Sequence, residues 1–420
     1  MPNLYRVTAE PAVPTPPLDG DIRSDVIVVG AGITGLSTAL HLAQRGAKVV
    51  VLEAEDPGYG ASGRNGGQVN PGLKFDPDVV ERDFGVDLGS RMNALAGAAP
   101  AFVFDLVKRH NIACDARQNG TLRAAVRAKH AASIRRSVEQ LSRRNAPVAL
   151  LTGSALAAAT GTDRYAAAML DRRGGDLNPL SYARGLARAA LSAGAAVHGG
   201  TRALSLMREG VDWKVRTNLG EATAAHVVLA TNGYTDDLWP GLRRSVVPVF
   251  GAMAATAALP EALARAIMPS RSVLYESGGI TVYYRDDSGQ RLLIGGRGPQ
   301  HEIASTAPLL HLLAYAEKLW PGLRGVAWTH AWGGRLAMTR DQYPHIHEPV
   351  RGLIACLGYN GRGLAMATTM GAQIAKRLLD PSGDFDMPIT GVKPIALHAA
   401  WPLAVRAAIA RGRISDFLGV

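Results

Sequence analysis

Long apolar runs are missing from this sequence of 420 residues. One of its long uncharged stretches, residues 245–260, contains Pro248 and Gly251, and it is too short and too weakly apolar to span a bilayer. Residues 1–6 also lack the apolar core of a signal peptide. We therefore expect a cytoplasmic protein without a transmembrane segment.

Cysteine is almost as scarce, since the chain contains only Cys114 and Cys356. Both residues lie in apolar or mixed surroundings, and their spacing fits no metal-binding or redox motif. We interpret both as buried thiols of a reducing compartment, and we expect no metal site.

Acidic residues are fewer than basic ones, 35 against 46, which gives a formal net charge of +11. The resulting field should attract anions. Nucleic-acid binding is not expected, because the basic residues are scattered and no basic run is interleaved with aromatic residues. The apolar content of 47% indicates a globular protein, and the length predicts two domains.

The most informative pattern in the chain runs from Asp25 to Glu53. A β-branched run at residues 25–29 predicts a buried parallel strand, and apolar residues after the turn at 30–35 recur at helical spacing. A second β-branched strand, residues 48–52, ends on Glu53. This is a complete βαβ unit with a G-x-G-x-x-G fingerprint between strand and helix.

Each glycine of the fingerprint has a physical reason. Gly30 makes the tight turn, Gly32 lets a pyrophosphate approach the backbone, and Gly35 lets helix and strand pack closely. The helix then presents free N–H groups to the phosphates, and the Glu53 carboxylate suits the ribose hydroxyls. The unit thus predicts a dinucleotide site formed by Gly30, Gly32, Ile33, Thr34, Gly35, Glu53 and Ala54.

A glycine-dense segment, residues 57–68, follows this unit where an NAD enzyme would have another strand and helix. Such a segment is either a flexible surface loop or backbone that lies against a flat ligand. Its Ala-Ser-Gly-Arg-Asn-Gly-Gly-Gln stretch at residues 61–68, together with the fingerprint, resembles the D-amino-acid-oxidase-type FAD-dependent oxidoreductases. Within that family the resemblance is greatest to γ-glutamylputrescine oxidases.

The resemblance implies that this loop wraps the isoalloxazine ring of FAD. It assigns flavin contacts to Ser62, Arg64, Asn65, Gly66, Gly67 and Gln68, and an adenine-side contact to the backbone of Val197. The family also directs a C-terminal loop and helix at the flavin, here Gly358, Asn360, Gly361, Arg362 and Gly363. Sarcosine-oxidase-like members attach FAD through a cysteine that is replaced here by Trp332 and glycines, so noncovalent FAD is implied.

A buried strand that ends in small residues, Thr231, Asn232 and Gly233, offers a further approach to the cofactor. The alternative is an ordinary strand end.

The predicted fold class is α/β, or α+β overall, with a Rossmann-like FAD-binding domain and an interleaved antiparallel-sheet substrate domain. Short strands separated by turns between residues 243 and 329 predict the antiparallel sheet. The predicted domains are FAD-binding at 20–90, 171–242 and 334–385, substrate-binding at 91–170 and 243–333, and a C-terminal helical tail at 386–420.

Tyr283, Tyr284 and Arg285 are candidates for the substrate side of the site. Alternation along a strand sends the two tyrosines to opposite faces, so only one can line the pocket. His330 is a further candidate, although a structural histidine is the alternative.

Arg335 is the last candidate for the substrate side. The family's amino-acid oxidases often carry W-x-x-x-R-x-x-T, whose arginine clamps the substrate carboxylate. Here Arg335 stands one place early after Trp332, which in an extended segment turns it to the other face. A free α-amino-acid substrate is therefore disfavoured, although Arg335 could engage a more distant carboxylate.

The resemblance implies oxidation of a C–N bond in a small amine or amino acid to an imine, by hydride transfer to flavin N5. A γ-glutamylputrescine-like amine is favoured, and a secondary or D-amino acid of the sarcosine, glycine, pipecolate or proline type is the alternative. A flavin-binding protein with a decayed active site is the non-enzymatic alternative. The electron acceptor, O2 or another, stays open because Leu293 stands where family oxidases carry an oxygen-activating lysine.

Overall fold

The computed structural model describes residues 1, 3–278 and 281–407 of the chain. The strands in these residues are β1 (Ile22–Val29), β2 (Val49–Leu52), β3 (Gln68–Val69), β4 (Thr121–Ala125), β5 (Val148–Leu151), β6 (Ala167–Asp171), β7 (Gly175–Asp176), β8 (Ala196–His198), β9 (Ala203–Glu209), β10 (Asp212–Thr217), β11 (Glu221–Leu229), β12 (Val247–Thr256), β13 (Val273–Glu276), β14 (Tyr283–Asp286), β15 (Leu292–Arg297), β16 (Trp328–Met338), β17 (His345–Val350), β18 (Leu353–Leu357) and β19 (Ile389–Thr390).

The α-helices of the same residues are α1 (Leu4–Thr8), α2 (Ile33–Ala43), α3 (Pro77–Phe84), α4 (Val86–Arg109), α5 (Ala128–Arg143), α6 (Gly153–Thr160), α7 (Pro179–Ser192), α8 (Glu261–Ala266), α9 (Leu310–Leu319) and α10 (Gly363–Leu379). Short 3-10 helices span Ala61–Gly63, Asn232–Tyr234, Arg243–Ser245, Ala307–Leu309, Pro321–Leu323 and His398–Ala400.

The first sheet has the strand order β19-β17-β18-β11-β1-β2-β8, and the β9-β10 hairpin extends it from β11. Its centre is parallel, because β1 pairs in parallel with both β11 and β2, and β2 pairs in parallel with β8. The apolar runs Val26–Val29 and Val49–Leu52 are buried, as expected for strands covered on both faces. The predicted βαβ unit is thus present as β1, α2 and β2.

Helices α2, α7 and α10 pack together over this parallel region. Asn178 caps α7, since its side-chain oxygen accepts hydrogen bonds from the backbone N–H groups of Leu180 and Ser181, each at 3.2 Å. Pro179 occupies the first turn, where its missing N–H costs no hydrogen bond.

The second sheet has the strand order β16-β12-β15-β14-β13-β4-β6-β5. Its pairs are antiparallel except for β13 with β4, which is parallel. Helix α9 packs on one face through Leu312, Leu313 and Ala316, in a core that also contains Tyr284 and Trp320. The predicted α/β fold class, with a parallel and an antiparallel sheet, is confirmed.

Two of the predicted domain boundaries fall inside continuous elements. The boundary at 90/91 divides α4, whose buried Met92, Val103 and Leu106 belong to the core beneath the first sheet. The boundary at 333/334 divides β16, which pairs with β12 along its length from Trp328 to Met338. We therefore place α4 with the first sheet and the whole of β16 with the second.

The C-terminal region was predicted as a helical tail. Its described part contains β19, a 3-10 helix at His398–Ala400 and helical backbone at 401–407. Residues 408–420 of the predicted tail lie outside the described residues.

Cys114 and Cys356 are both buried free thiols, as predicted. Within residues 3–278 and 281–407, every helix is too short or too polar to cross a membrane.

Candidate functional site

A cavity of about 470 Å³ lies where the two sheets meet. Its volume is within the usual range for small-molecule and cofactor sites. The sequence-predicted residues that line it are Gly32, Ile33, Thr34, Ser62, Arg64, Asn65, Gly66, Gln68, Asn232, Tyr283, Asn360, Gly361, Arg362 and Gly363. Residues from five separate parts of the sequence thus converge on one space.

The fingerprint turn leaves no room for side chains. Gly30 has a φ of +103°, and a Cβ on Gly35 would lie only 2.0 Å from the carbonyl oxygen of Gly30. A Cβ on Gly32 would lie 2.9 Å from the hydroxyl oxygen of Ser62, which accepts a hydrogen bond from the backbone N–H of Ile33 at 3.0 Å. The N-terminus of α2 therefore opens on the cavity through backbone and one hydroxyl group.

Glu53 lies behind this turn, at the end of β2. Its carboxylate accepts hydrogen bonds from the N–H groups of Ala31 at 2.7 Å and Glu55 at 3.0 Å, and burial raises the pKa of the carboxyl group. Ala54 follows Glu53 in the chain, and Val197 of β8 pairs with Val51 of β2. These residues share the end of the parallel sheet but do not line the large cavity.

The glycine-dense loop is held in place by its own amide side chains. Asn65 donates to the carbonyl oxygens of Ala61 and Ser62 and accepts from the N–H of Gly67 at 2.8 Å. Gln68 donates to carbonyl oxygens of β13 and β14, both at 3.1 Å. These bonds attach the loop to the second sheet, which favours the ligand-facing interpretation over a flexible surface loop.

Arg64 and Gly66 form part of the loop surface that faces the cavity. The Arg64 guanidinium stacks on Tyr59, 4.7 Å from its ring centroid, and its Nε donates to the Tyr59 carbonyl oxygen at 2.9 Å. A Cβ on Gly66 would lie 2.7 Å from the ring of Tyr283. A side chain at that position would collide with the opposite wall.

The C-terminal loop closes the cavity from the side of the first sheet. Gly358 and Gly361 have φ angles of +83° and +85°, which glycine adopts without strain. The Asn360 side-chain oxygen accepts from the N–H of Thr339 at 2.9 Å, and the Asn232 side-chain oxygen accepts from the N–H of Gly358 at the same distance. Asn232 therefore connects the strand end after β11 to the loop before α10.

Thr231 and Gly233 flank Asn232 but do not line the cavity. The Thr231 hydroxyl is 2.7 Å from that of Thr235, and a Cβ on Gly233 would meet the backbone of Arg335 at 2.5 Å. Both residues therefore support the strand end at its contact with β16.

Of the two adjacent candidates Tyr283 and Tyr284, Tyr283 faces the cavity. Its ring lies between Gly66 and Gly295, and burial raises the pKa of its hydroxyl. Tyr284 points to the opposite face of the sheet, where its ring meets Trp320 at a centroid distance of 5.2 Å. The alternation predicted for this pair is confirmed.

Two further substrate-side candidates, Arg285 and His330, also lie away from the cavity. Arg285 is buried behind the loop, where its guanidinium donates to the carbonyl oxygen of Gly66 at 2.8 Å and to the hydroxyl of Tyr5 at 3.1 Å. His330 is half-buried beside the Thr329 hydroxyl, and desolvation lowers its pKa. The sequence placed these residues on the correct sheet but could not show which face each occupies.

Arg335 is turned from the cavity by the alternation of β16. Gly334 and Leu336 line the cavity on either side of it, whereas the Arg335 guanidinium lies over the ring of Tyr234 at 4.5 Å from the centroid. The one-residue offset noted in the sequence thus has the expected structural consequence.

Several lining residues were missed by sequence reasoning. They are Lys74, Arg123, Tyr275, Ser277 and Arg297, which come from three strands and two loops. They share no local motif, and only the folding of the second sheet brings them together.

These features fit FAD. The N-termini of α2 and α10 both open on the cavity, and a helix N-terminus stabilises negative charge. The glycines on the cavity walls leave backbone atoms exposed, so that a flat ring and a pyrophosphate could approach them closely. Residues of the fingerprint, the glycine-dense loop and the loop before α10 would hold the cofactor.

Comparison with known proteins agrees with this assignment. The family described as "DAO: FAD dependent oxidoreductase" matches residues 25–377. The gamma-glutamylputrescine oxidoreductase of Escherichia coli (strain K12) is 33% identical over 392 residues, which covers 91% of this chain and 90% of that protein. The probable oxidoreductase OrdL of Rhizobium meliloti (strain 1021) is 29% identical, with 91% and 89% covered.

A solved structure shows the same fold. The crystal structure of glycine oxidase from Geobacillus kaustophilus superposes with a TM-score of 0.75 at 24% identity, and the match covers 88% of this chain and 98% of that one.

Proposed function

This chain belongs to the DAO family of FAD-dependent oxidoreductases, and we propose that its substrate is an extended primary amine of the γ-glutamylputrescine type. In this reaction the C–N bond is oxidised to an imine. FAD, when bound, supplies the acceptor for the two electrons and the hydrogen that leave the carbon next to the amine nitrogen. The chain itself has to bind the amine, orient that carbon and exclude water.

The position of Arg335 is the observation that carries the choice of an extended amine. An α-amino-acid clamp at this point of β16 would need the guanidinium in the cavity, but it lies over Tyr234 instead. The similarity to γ-glutamylputrescine oxidoreductase along 91% of the chain supports the same choice.

The composition of the cavity wall also supports an extended substrate. Val249, Phe250, Met253 and Leu336 line it with apolar surface. Such a wall suits the methylene chain of an acylated diamine, because its burial releases water from apolar surface on both sides. The nearby Tyr283 ring completes this wall opposite Gly66.

We propose that FAD is bound noncovalently. Trp332 occupies the segment in which sarcosine-oxidase-like relatives are expected to carry a cysteine, and its indole N–H donates to the carbonyl oxygen of Arg64 at 3.0 Å. Its side chain is therefore engaged in fixing the glycine-dense loop. Acid precipitation that releases all FAD into the supernatant would support this proposal, and FAD retained in the pellet would contradict it.

Anaerobic spectroscopy of the purified, FAD-loaded protein tests the substrate. We expect γ-glutamylputrescine to bleach the visible flavin band rapidly, and sarcosine, glycine and D-alanine to bleach it slowly or not at all. If only the amino acids bleached the flavin band, the substrate would be an amino acid and not the extended amine. An unchanged band with every compound would favour a binding protein over an enzyme.

Oxygen consumption by the bleached protein then identifies the acceptor class. Leu293, at the position considered for an oxygen-activating lysine, is buried in an apolar cluster with Met253 and Trp332. We propose that the acceptor is a molecule other than O2. Slow return of the visible band in air is the expected result, and rapid return with stoichiometric oxygen uptake would contradict it.

A further inference from the structure

Positive charge is concentrated on the cavity wall, where two strands of the second sheet, two loops and the start of α10 contribute basic residues. The lining residues that carry a formal charge, among those described, are Arg64, Lys74, Arg123, Glu276, Arg297 and Arg362, of which five are basic. Arg64 stacks on Tyr59 at the glycine-dense loop. The other four basic residues act on one another, because the charges of Arg362, Arg297 and Arg123 all lower the pKa of Lys74.

Two of these four cations are engaged by the protein. Arg123 donates to the Asp76 carboxylate and to the Ser277 hydroxyl, both at 2.9 Å. Arg362 donates to the carbonyl oxygen of Pro71 at 2.9 Å and to the hydroxyl of Tyr275 at 2.7 Å. Their geometry is fixed by these partners.

Lys74 and Arg297 differ from that pair. Neither side chain has a hydrogen bond or an ion pair to any residue of the described ranges. Burial lowers the pKa of Arg297, and burial together with the three neighbouring guanidinium groups lowers the pKa of Lys74 to about 8. Two unpaired cations that face the same cavity leave an electrostatic cost that an anion in the cavity would remove.

The carboxylates of this region are engaged elsewhere. Asp76 accepts from Arg123 and from the Ser137 hydroxyl at 2.7 Å, and Glu276 accepts from the Tyr165 hydroxyl at 2.8 Å. The Tyr315 hydroxyl also donates to Glu276.

The cofactor phosphates do not account for this charge either. The helix N-terminus suited to a pyrophosphate is that of α2, beside Gly32 and Ser62 in the first sheet's half of the cavity. Arg297 ends β15 in the second sheet, and Lys74 follows the strand that leads out of the glycine-dense loop. Their charge is therefore available to a ligand on the substrate side.

We propose that Lys74 and Arg297 together bind a carboxylate group that the substrate carries at a distance from its oxidised amine. This inference rests on the proposed function, and it makes the two residues determinants of specificity for a carboxylate-bearing amine. An ammonium and a guanidinium can each donate to a carboxylate oxygen, and such charge-assisted hydrogen bonds are the stronger ones. The apolar wall between this site and the glycine-dense loop would take the intervening methylene groups.

A pH dependence follows from the same geometry. Lys74 has to be protonated to bind the carboxylate, and a bound carboxylate raises the pKa of the ammonium group because opposite charges stabilise each other. Affinity is therefore fully present below pH 8 and falls as the pH rises above it.

The test uses two amines that differ only at the far end, N-glutarylputrescine with a carboxylate and its primary amide without one. For the FAD-loaded wild-type protein we expect kcat/KM for the carboxylate to exceed that for the amide by about tenfold or more. Lys74→Met and Arg297→Met should each reduce this ratio by about tenfold, through KM and with little change in kcat. Both compounds have the same reacting amine, so its titration changes both kcat/KM values equally. The effect therefore cancels in the ratio of the two kcat/KM values.

Two control variants sharpen the result. Lys74→Arg should keep the preference for the carboxylate and abolish its decline above pH 8, because a guanidinium stays protonated. Lys129→Met removes an exposed lysine of α5, remote from the cavity lining, and should leave both compounds unchanged.

Calorimetric titration with glutarate provides a readout that does not depend on turnover. We expect glutarate to bind the wild-type holoprotein and to bind at least tenfold more weakly to Lys74→Met and Arg297→Met. If wild type and variants showed the same ratio of kcat/KM for carboxylate and amide, and the same affinity for glutarate, the proposed carboxylate site would be overturned. The proposed oxidation of an amine would not be affected by that result. Absence of flavin bleaching by both amines, with glutarate binding still dependent on the two residues, would instead contradict the proposed function alone.

Discussion

At the residue scale, backbone exposure at single glycines determines where a cofactor can approach. The atoms closest to an added Cβ at Gly32 and at Gly66 belong to Ser62 and Tyr283, which line the same cavity. Sequence reasoning identified these glycines because a fingerprint turn is a local pattern. It missed Lys74 and Arg297 because their proximity depends on sheet pairing between residues that are far apart in the chain.

Gly32→Val should block FAD incorporation without unfolding the chain. The added methyl groups would occupy the space at the α2 N-terminus where the backbone is now open, and their nearest neighbour is the movable hydroxyl of Ser62. The ratio of flavin absorbance to protein absorbance in the purified variant measures this. Gly391→Val is the matched control, because an added Cβ there meets no atom within 4 Å. Normal flavin content in Gly32→Val would refute the assignment.

Arg285 is best explained as a support for the glycine-dense loop. We expect Arg285→Met to lower the free energy of unfolding by about 2 kcal/mol, because its guanidinium makes buried hydrogen bonds to Gly66 and Tyr5. Urea denaturation measures the change, and the exposed Arg324→Met serves as the control. A loss of activity without a loss of stability would instead indicate a direct role in substrate binding.

At the element scale, the sequence predicted helices and strands well because each has a local signature. The runs that became β1, β2 and β18 are β-branched or apolar, and the start of α7 has a cap and a proline. It was harder to predict against which other element a given helix or strand packs. The apolar stripe of α4 shows that one face is buried, but it does not show that the face packs beneath the first sheet.

The cap of α7 provides a test at this scale. Asn178→Ala should lower the free energy of unfolding by about 1 kcal/mol, because two N–H groups of the first turn lose their acceptor. Asn178→Ser should recover most of that loss, since a serine hydroxyl can accept the same bond. Chemical denaturation of the two variants measures the difference, and equal stabilities of Asn178→Ala and wild type would show that the cap contributes nothing.

At the scale of the whole molecule, the cavity exists because two sheets with different strand directions meet. The parallel sheet contributes the helix N-termini, and the mainly antiparallel sheet contributes Tyr283, the apolar wall and Arg297. The sequence predicted a parallel FAD-binding region from the fingerprint and an antiparallel substrate sheet from the run of short strands. The predicted boundaries at 90/91 and 333/334 lie inside α4 and β16, because packing against a sheet, which is not a local property of the sequence, determines where each element belongs.

FAD should stabilise the two halves together, because a ligand that binds only the folded state raises its stability. We expect the melting temperature of the protein to rise with FAD concentration, and the rise to be absent in Gly32→Val. Differential scanning fluorimetry at several FAD concentrations measures both. A melting temperature that does not depend on FAD in the wild-type protein would show that FAD does not bind preferentially to the folded state.

The most direct test of the central claim is a crystal structure of the FAD-loaded protein. We expect electron density for the isoalloxazine ring in the cavity between the glycine-dense loop and the loop before α10, and density for the pyrophosphate at the N-terminus of α2. Density for FAD at another place, or an empty cavity in crystals grown with saturating FAD, would contradict the account.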